Sequence, residues 1–287
     1  MQMDIEWRFP EKIISCNNLN QKLGDANLRI FDCSTFLDYT DDHPSKPYDV
    51  KSCLPNYEKV HIPTAAYLDL QKDLSDNNSP YGMTLPALEL LAQSFKKLGV
   101  GSPHHIVLYS SNGMQWATRI WAMLAAVGYQ SVSVLDGGLD EWRRLGFATE
   151  SGINKFDPAE FDAQIDTGFF IEKDNVLSVL GRKDCVLLNS LTTDIFKGES
   201  RRYGRAGRIP GSINIPFTTL VDKKGRFLSK SILKKKFGEH VNFSLIKEVI
   251  CTCGSGVTAC NVIFGLNLLG VQNLKLYDGS WAEWGKK

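Results

Sequence analysis

The chain has 287 residues, of which 43% are apolar and 23% charged, as expected for a globular protein with two domains. Lys and Arg number 33 and Asp and Glu 32, so the net charge of +1 gives no global field to recruit nucleic acid or an anionic membrane. No apolar run reaches the roughly 18 residues of a membrane-spanning helix, and the start of the chain lacks a secretory or transit pattern. We therefore expect a cytoplasmic protein without nucleic-acid or membrane partners.

The first half alternates predicted strands and helices. An apolar run at 28–38 contains Asp32 at the end of a strand, and a polar insertion separates it from a turn and a short strand at 61–70. The order then continues as a helix (86–99), a strand (104–111), a helix (114–128), a strand (131–138) and a helix (139–146).

The second half repeats this order. Three pairs of identical residues are each 142 positions apart: Asp136 and Asp278, Trp142 and Trp284, and Gly128 and Gly270. The same spacing places Ser111 opposite Cys253, so the cysteine at this position occurs in one half only. A duplicated unit with one reactive position indicates one catalytic half and one half that supports the site.

Alternating strands and helices predict an α/β fold of two tandem domains, each a mostly parallel sheet with helices on both faces and a site at the carboxyl ends of its strands. We expect an inactive domain over residues 1–149, a linker over 150–167 that wraps a surface, and a catalytic domain over 168–287. Substrate should bind in the cleft between the two domains.

The stretch VICTCGSGVTAC (249–260) predicts a strand, then Cys253, then a tight loop and a helix. Backbone N–H groups of such a loop and the positive end of the helix dipole both favour a thiolate at neutral pH, as a nucleophile requires. The structural alternative is a buried packing cysteine before a glycine turn.

The seven cysteines are odd in number and mostly isolated in apolar runs, which indicates reduced thiols rather than a disulfide framework. Cys251 and Cys253 have only Cys260 nearby and no adjacent histidine, so four zinc ligands are lacking. We expect neither a metal nor an organic cofactor.

Three chemistries use a cysteine in a loop of backbone donors. A phosphatase needs an arginine six residues after the cysteine, where this chain has Ala259. A thioredoxin-like exchange needs a second cysteine three residues on, where the chain has Gly256. Sulfur transfer through a persulfide remains, because the loop can stabilise the charged outer sulfur without a metal or organic cofactor.

Five ordered motifs carry a resemblance to a known family: HIP (61–63), LDGGL (135–139), GRIPGSINIPF (207–217), CGSGVTA (253–259) and YDGSWAEW (277–284). Together they resemble the two-domain rhodanese-type sulfurtransferases, and in particular those that use 3-mercaptopyruvate. The likeness runs from Cys33 to Trp284. It implies two rhodanese-like domains, the amino-terminal one inactive, and a ping-pong reaction through a cysteine persulfide.

The loop after the cysteine distinguishes two sulfur donors within that family. Thiosulfate enzymes place basic residues there, whereas this loop is uncharged, with Gly254, Ser255, Gly256, Val257 and Thr258 as the predicted substrate-binding residues. This favours 3-mercaptopyruvate as donor and a thiol, such as thioredoxin or a small thiol, or cyanide as acceptor. The alternatives are a thiosulfate sulfurtransferase and a non-catalytic rhodanese-like sulfur-carrier or binding module.

The resemblance also implies a proton relay across the domain interface, made of a serine, a histidine and an aspartate. Ser255 and His61 match the first two, and Asp49 is the candidate for the third. The structural alternatives are turn residues: a histidine bonded to local backbone and a serine whose hydroxyl caps its own loop.

The carboxylate of the donor needs a cation, preferably a guanidinium. The segment SRRYGRAGR (200–208) supplies Arg201, which matches a family arginine, and Arg202. A second family arginine falls at Ile195 here, so Arg202 or Lys197 is the predicted substitute.

Arg119 matches another arginine of the family, and we favour a packed ion pair to the linker or the other domain as its role. Cys260 is expected in the core rather than as a resolving thiol.

Overall fold

A computed structural model describes residues 7–40, 48–200, 202–203 and 205–286. Their strands are, in chain order, β1 (Ile13–Ile14), β2 (Leu28–Asp32), β3 (Thr35–Tyr39), β4 (Tyr48–Ser52), β5 (Ala66–Tyr67), β6 (His105–Tyr109), β7 (Val132–Leu135), β8 (Phe170–Ile171), β9 (Cys185–Asn189), β10 (Ile213–Asn214), β11 (Glu248–Thr252) and β12 (Leu274–Tyr277).

The α-helices are α1 (Cys16–Gln21), α2 (Leu54–Tyr57), α3 (Leu70–Asp73), α4 (Leu88–Lys97), α5 (Gln115–Ala126), α6 (Gly138–Arg144), α7 (Lys173–Val179), α8 (Thr193–Lys197), α9 (Lys230–Gly238), α10 (Ala259–Leu269) and α11 (Ser280–Trp284). Two short 3₁₀ turns cover Pro10–Lys12 and Phe217–Leu220. Within the described ranges, no helix is both long and apolar enough to cross a membrane.

Two five-stranded sheets share one topology. The first has the order β1-β7-β6-β2-β5 and the second has β8-β12-β11-β9-β10, and every neighbouring pair in both sheets is parallel. Parallel strands joined by helices are covered on both faces, which is why β6 and β11 are almost continuously buried. The predicted α/β fold with two mostly parallel sheets is confirmed.

The two halves pack through the helices that follow their central strands. Helices α5 and α10 are buried almost all round, as an apolar helix between two layers must be. Trp121 and Phe264 meet edge to face with ring centroids 4.9 Å apart, and Thr118 Oγ1 donates to Asn261 Oδ1 at 2.7 Å. The loops that precede these helices therefore lie at the boundary between the halves.

The segment 150–167 runs along the first half as a series of backbone hydrogen bonds. Ala159 N–H donates to Lys96 O at 3.0 Å, and Gln164 N–H donates to Val127 O at 3.0 Å. This course agrees with a surface-wrapping linker, and the domain limits 1–149, 150–167 and 168–287 stay a prediction.

An antiparallel pair, β3 and β4, follows directly from the end of β2. The strand β3 lies at the end of the predicted apolar run 28–38, and β4 falls where the sequence indicated only a polar insertion. Tyr39 pairs with Tyr48 across it, and Tyr48 is buried against the second half. The pair thus carries side chains of the first half to the carboxyl end of the second sheet.

Candidate active site

Cys253 is the first residue after the fully buried strand β11, and α10 begins six residues later at Ala259. The intervening turn, residues 253–258, is named here the cysteine loop. Its course agrees with the predicted order of strand, cysteine, loop and helix. The thiol is held at the carboxyl edge of the sheet and next to the amino-terminal end of an eleven-residue helix, where partial positive charge favours an anion.

The backbone donors of the cysteine loop are open to a ligand. Within the described part of the chain, the N–H groups of residues 254–257 donate to no protein acceptor. The Cys253 N–H is the exception, because it donates to Ser280 Oγ at 3.1 Å, and that hydroxyl lies 4.0 Å from Cys253 Sγ. Ser280 has a left-handed backbone (φ 47°), which turns its hydroxyl toward the cysteine. Unpaired N–H groups around a sulfur form a site for a negative charge.

At two positions of the loop, neighbouring atoms leave space only for glycine. A Cβ on Gly254 would collide with the hydroxyl of Tyr203, and a Cβ on Gly256 (φ 74°) would meet Asp278 and Arg119. The cysteine loop is therefore packed between both halves and has no room for larger side chains at these positions.

Arg119 connects the loop to the first half. This fully buried guanidinium pairs with Asp278 at 2.6 Å (Nη1 to Oδ1), and it donates to the carbonyls of Gly256 at 3.2 Å and Met83 at 2.9 Å. The role that we favoured for Arg119 from the sequence was a packed ion pair to the linker or the other domain, and the structure shows such a pair with Asp278 of the other half. Because Gly256 lies in the cysteine loop, Arg119 also fixes the loop's backbone.

A pocket of about 140 Å³ opens over Cys253 between the two halves. The first half contributes Leu37, Tyr39, Tyr48, Met83, Gln115 and Trp116, and the second contributes Leu191, Thr192, Ile195, Arg202, Tyr203, Phe217, Cys253, Gly254, Ser255, Val257 and Thr258. Of the predicted residues, six line this pocket together: Cys253, Gly254, Ser255, Val257, Thr258 and Arg202. The volume suits a small metabolite of few heavy atoms.

Ser255 has a partner that the sequence did not predict. Its Oγ lies 2.6 Å from the hydroxyl of Tyr48. Burial is the main cause that raises the pKa of Tyr48 to about 12, opposed by the hydrogen bond with Ser255 and reinforced by Cys253. The phenol is therefore protonated at neutral pH. No motif in the sequence marks Tyr48, and only the alternation of apolar residues along β4 could have indicated that it points inward.

His61 does not reach Ser255. It is fully buried within the first half, where its Nδ1 lies 2.8 Å from Tyr57 O and its Nε2 lies 3.1 Å from Glu150 Oε1. Its ring also stacks on that of Tyr57, at 4.1 Å between centroids. Both ring nitrogens are thus occupied by local partners, and the predicted contact between Ser255 and His61 is absent among the described residues.

Asp49 follows Tyr48 on β4, and successive strand residues point to opposite faces. Since Tyr48 faces Ser255, Asp49 is directed to the other face, where it pairs in register with Asp38. The predicted relay of Ser255, His61 and Asp49 is therefore not assembled, and Tyr48 occupies the place next to the serine.

Of the cations predicted to bind the carboxylate of the donor, one lies in the described lining of the pocket. Arg202 lines the pocket, with its guanidinium carbon 4.4 Å from the ring centroid of Tyr39. Ile195 is buried in the pocket wall, which leaves an apolar surface where the family arginine was expected. Lys197 is exposed outside the lining, and Arg201 lies outside the described residues.

The two neighbouring cysteines, Cys251 and Cys260, are fully buried in the core. Burial raises the pKa of Cys260 to about 12, and its thiol donates to Gly256 O at 3.2 Å, which agrees with a core position. Burial also raises the pKa of Cys251 well above its usual range. Within the described ranges, no three His, Cys, Asp or Glu side chains are grouped to hold a metal ion.

Comparisons with known proteins agree with this geometry. A model of the Rhodanese-like domain matches residues 15–145 and 194–287. The chain belongs to the rhodanese-like sulfurtransferase family. Among its relatives, the 3-mercaptopyruvate sulfurtransferase of Homo sapiens is 40% identical over 233 residues, which are 79% of this chain and 78% of the human protein. That of Escherichia coli (strain K12) is 35% identical over 234 residues, 80% of this chain and 82% of the relative.

A solved structure extends the likeness to the whole fold. SseA from Escherichia coli, described as a 3-mercaptopyruvate sulfotransferase of the rhodanese fold, superposes with a TM-score of 0.80 at 30% identity. The match covers 94% of this chain and 98% of SseA. This rhodanese-like sulfurtransferase therefore has both halves of the fold.

Proposed function

We propose that this rhodanese-like sulfurtransferase takes sulfur from 3-mercaptopyruvate onto Cys253 and passes it to a thiol or to cyanide, releasing pyruvate. The observation that carries the proposal is the cysteine loop: Cys253 lines a small pocket, the N–H groups of residues 254–257 donate to no acceptor among the described residues, and the loop has no charged side chain. These donors stabilise a thiolate and then the outer sulfur of a persulfide. The curated relatives are named for this donor.

The first half-reaction is nucleophilic attack by the Cys253 thiolate on the sulfur of the donor. A sulfur–sulfur bond forms, the carbon–sulfur bond breaks, and its electron pair stays on carbon as the enolate of pyruvate. The enolate takes up one proton to become pyruvate, and the persulfide loses the proton that the donor's thiol carried. Protons and electrons thus balance without an external oxidant or reductant.

The carboxylate of the donor is assigned to Arg202, the cation in the described lining of the pocket. A guanidinium over the Tyr39 ring can present its N–H groups to a carboxylate in two parallel hydrogen bonds. Arg201 remains a predicted second cation. Ile195 provides no charge, so we expect one fewer ionic contact to the donor than in relatives with an arginine there.

The second half-reaction transfers the outer sulfur to an acceptor. We propose a thiol, either a protein thiol of the thioredoxin kind or a small thiol, and a cytoplasmic setting in which such thiols stay reduced. The pocket lies at the surface between the halves, so a small acceptor can reach Cys253 once pyruvate has left.

The deciding experiment is the mass of the protein after exposure to 3-mercaptopyruvate. We expect the gain of one sulfur atom at Cys253, and Cys253→Ser should neither gain sulfur nor release pyruvate, with activity lowered at least about 10³-fold. Cys185→Ser, a cysteine outside the pocket, is the matched control and should behave as wild type. Pyruvate release by Cys253→Ser at the wild-type rate would contradict the proposal.

A comparison of donors tests the substrate. Turnover with 3-mercaptopyruvate should exceed turnover with thiosulfate, because the cysteine loop offers no lysine or arginine to a doubly charged donor. A clear preference for thiosulfate would assign the protein to the other donor class. Persulfide formation without turnover to cyanide or a thiol would favour a sulfur carrier.

A further inference from the structure

One pair of hydroxyl groups joins the two halves inside the pocket. Tyr48 comes from β4 of the first half and Ser255 from the cysteine loop of the second, and their oxygens are 2.6 Å apart. Tyr48 is 9% exposed, and its ring is packed edge-on by Tyr39 and Tyr203, with centroids 6.2 and 6.3 Å away. The phenol is thus fixed in place before substrate binds.

We propose that Tyr48 is a positioning residue for Ser255. Its phenol donates to Ser255 Oγ, and this leaves the serine's own hydrogen for the pocket, where it donates to the ketone oxygen of the donor as that oxygen becomes the enolate oxygen. The inference rests on the proposed function and assigns to the first half a part in the chemistry.

Either oxygen can donate in this hydrogen bond, and we assign the donor role to the phenol because its O–H is more acidic than that of serine. A hydroxyl that accepts a hydrogen bond from one neighbour has its own hydrogen available for another acceptor. Tyr48 is a protonated donor at neutral pH, since its pKa is raised to about 12. Ser255 is half-buried at the pocket wall, so a bound ketone is the acceptor it meets. His61, with both nitrogens held by Tyr57 and Glu150, supplies no competing partner.

The chemistry that Tyr48 supports is confined to one half-reaction. When the carbon–sulfur bond breaks, negative charge develops on the ketone oxygen, and a donor aimed at that oxygen stabilises it. Discharge of the persulfide to cyanide forms thiocyanate and the Cys253 thiolate, and no enolate is present. Tyr48 and Ser255 should therefore matter for the formation of the persulfide and not for its discharge to cyanide.

The test is Tyr48→Phe, which removes the hydroxyl and keeps the ring. Pyruvate release and discharge of the preformed persulfide to cyanide are measured separately, next to Ser255→Ala and the double variant. Tyr129→Phe is the matched control, since it deletes a phenol hydrogen bond of equal length, 2.6 Å to His104 O, outside the pocket.

We expect Tyr48→Phe to lower kcat for pyruvate release about 10-fold or more, with KM changed less than about threefold and discharge to cyanide unchanged. The double variant should be no slower than Ser255→Ala, because the two residues act as one unit. A wild-type kcat in Tyr48→Phe, or an equal loss in both half-reactions, overturns the inference. Neither result touches the role of Cys253, which the Cys253→Ser variant tests by itself.

Discussion

Two loops of this molecule follow the central strands of equivalent sheets, yet only one contains the nucleophile. In the first sheet Asp32 pairs with Tyr109, so Ser110 is the first residue after the strand, as Cys253 is in the second. The constant spacing of 142 had selected Ser111 instead. The difference arises because the glycine after the helix follows the strand end by 19 residues in the first half (Tyr109 to Gly128) and by 18 in the catalytic half (Thr252 to Gly270). The strand ends are therefore 143 positions apart (252 − 109), whereas the later motifs are 142 apart.

What separates the loops is the occupation of their backbone donors. In the first half, Ser111 N–H donates to Ser34 Oγ at 2.8 Å and Asn112 N–H to Asp140 Oδ2 at 3.3 Å. In the cysteine loop, the corresponding N–H groups of residues 254 and 255 have no protein acceptor in the described ranges.

The sequence changes that open the cysteine loop are two. Leu191 takes the place of Ser34. Each is the second residue after its strand, and the N–H of each donates to the side chain of the last strand residue, Asp32 or Asn189. Ala282 takes the place of Asp140 at a spacing of 142. Two acceptors are thus replaced by apolar side chains. A similar backbone path therefore leaves its N–H groups available to an anion in one half, whereas side chains of the protein accept from them in the other.

The largest effect we expect comes from the buried ion pair of Arg119 with Asp278, since the equivalent Asp136 has no ion pair among the described residues. Asp278→Asn keeps an acceptor for the Leu85 N–H, now 2.8 Å from Oδ2, but leaves Arg119 charged and unpaired. Such an uncompensated charge should cost about 3 to 5 kcal/mol of unfolding free energy, measured by urea denaturation. A cost below about 1 kcal/mol would place the pair among ordinary surface salt bridges.

Ala282→Asp copies the acceptor of the inactive loop into the active one. Its carboxylate should accept a loop N–H and repel both thiolate and donor, lowering kcat/KM for 3-mercaptopyruvate about 10² to 10³-fold. Ala282→Asn has the same shape without the charge, so its kcat/KM should fall less. The difference between the two variants separates the effect of charge repulsion from that of occupying the loop N–H groups. If Ala282→Asp retains a third or more of wild-type activity, open N–H groups are not what distinguishes the loops.

The sequence predicted those parts of the site that depend on local patterns. Apolar runs and glycine turns are short-range signals, so the two sheets and the setting of Cys253 followed from them. The contact between Tyr48 and Ser255 joins residues 207 positions apart and leaves no periodic trace. The partners of His61 could not be predicted for a related reason, because its contact with Glu150 depends on where the segment 150–167 returns along the first half.

A smaller effect, dependent on pH, is expected at Asp136 in the first half. Burial, opposed by the Phe227 N–H and Arg226, raises the pKa of Asp136 to about 7. This folded-state pKa lies above the unfolded value of 3.8. The contribution of protonated Asp136 to the free energy of unfolding is therefore fully present below pH 4 and is lost as pH rises to 7.

Asp136→Asn keeps an acceptor for the Phe227 N–H, 2.8 Å from Oδ1 in the wild type, and cannot ionise. It should be more stable than wild type at pH 8, by on the order of 2 kcal/mol, and should approach the wild type near pH 4. Urea denaturation at both pH values checks this. Equal differences at pH 4 and pH 8 would show that Asp136 does not titrate in this range.

The smallest effect is expected from placing a nucleophile in the closed loop. Ser110→Cys, made in the Cys253→Ser background, puts a thiol after the central strand of the first sheet, where Ser110 Oγ now donates to Gly113 O at 2.7 Å. We expect no sulfur gain from 3-mercaptopyruvate by mass, because Ser34 and Asp140 occupy the N–H groups that a persulfide needs. Adding Ser34→Leu and Asp140→Ala opens those donors and should permit a detectable persulfide. Sulfur uptake by Ser110→Cys alone would contradict this expectation. It would show that Ser34 and Asp140 do not prevent persulfide formation, and that the first half is inactive only because it has no cysteine at this position.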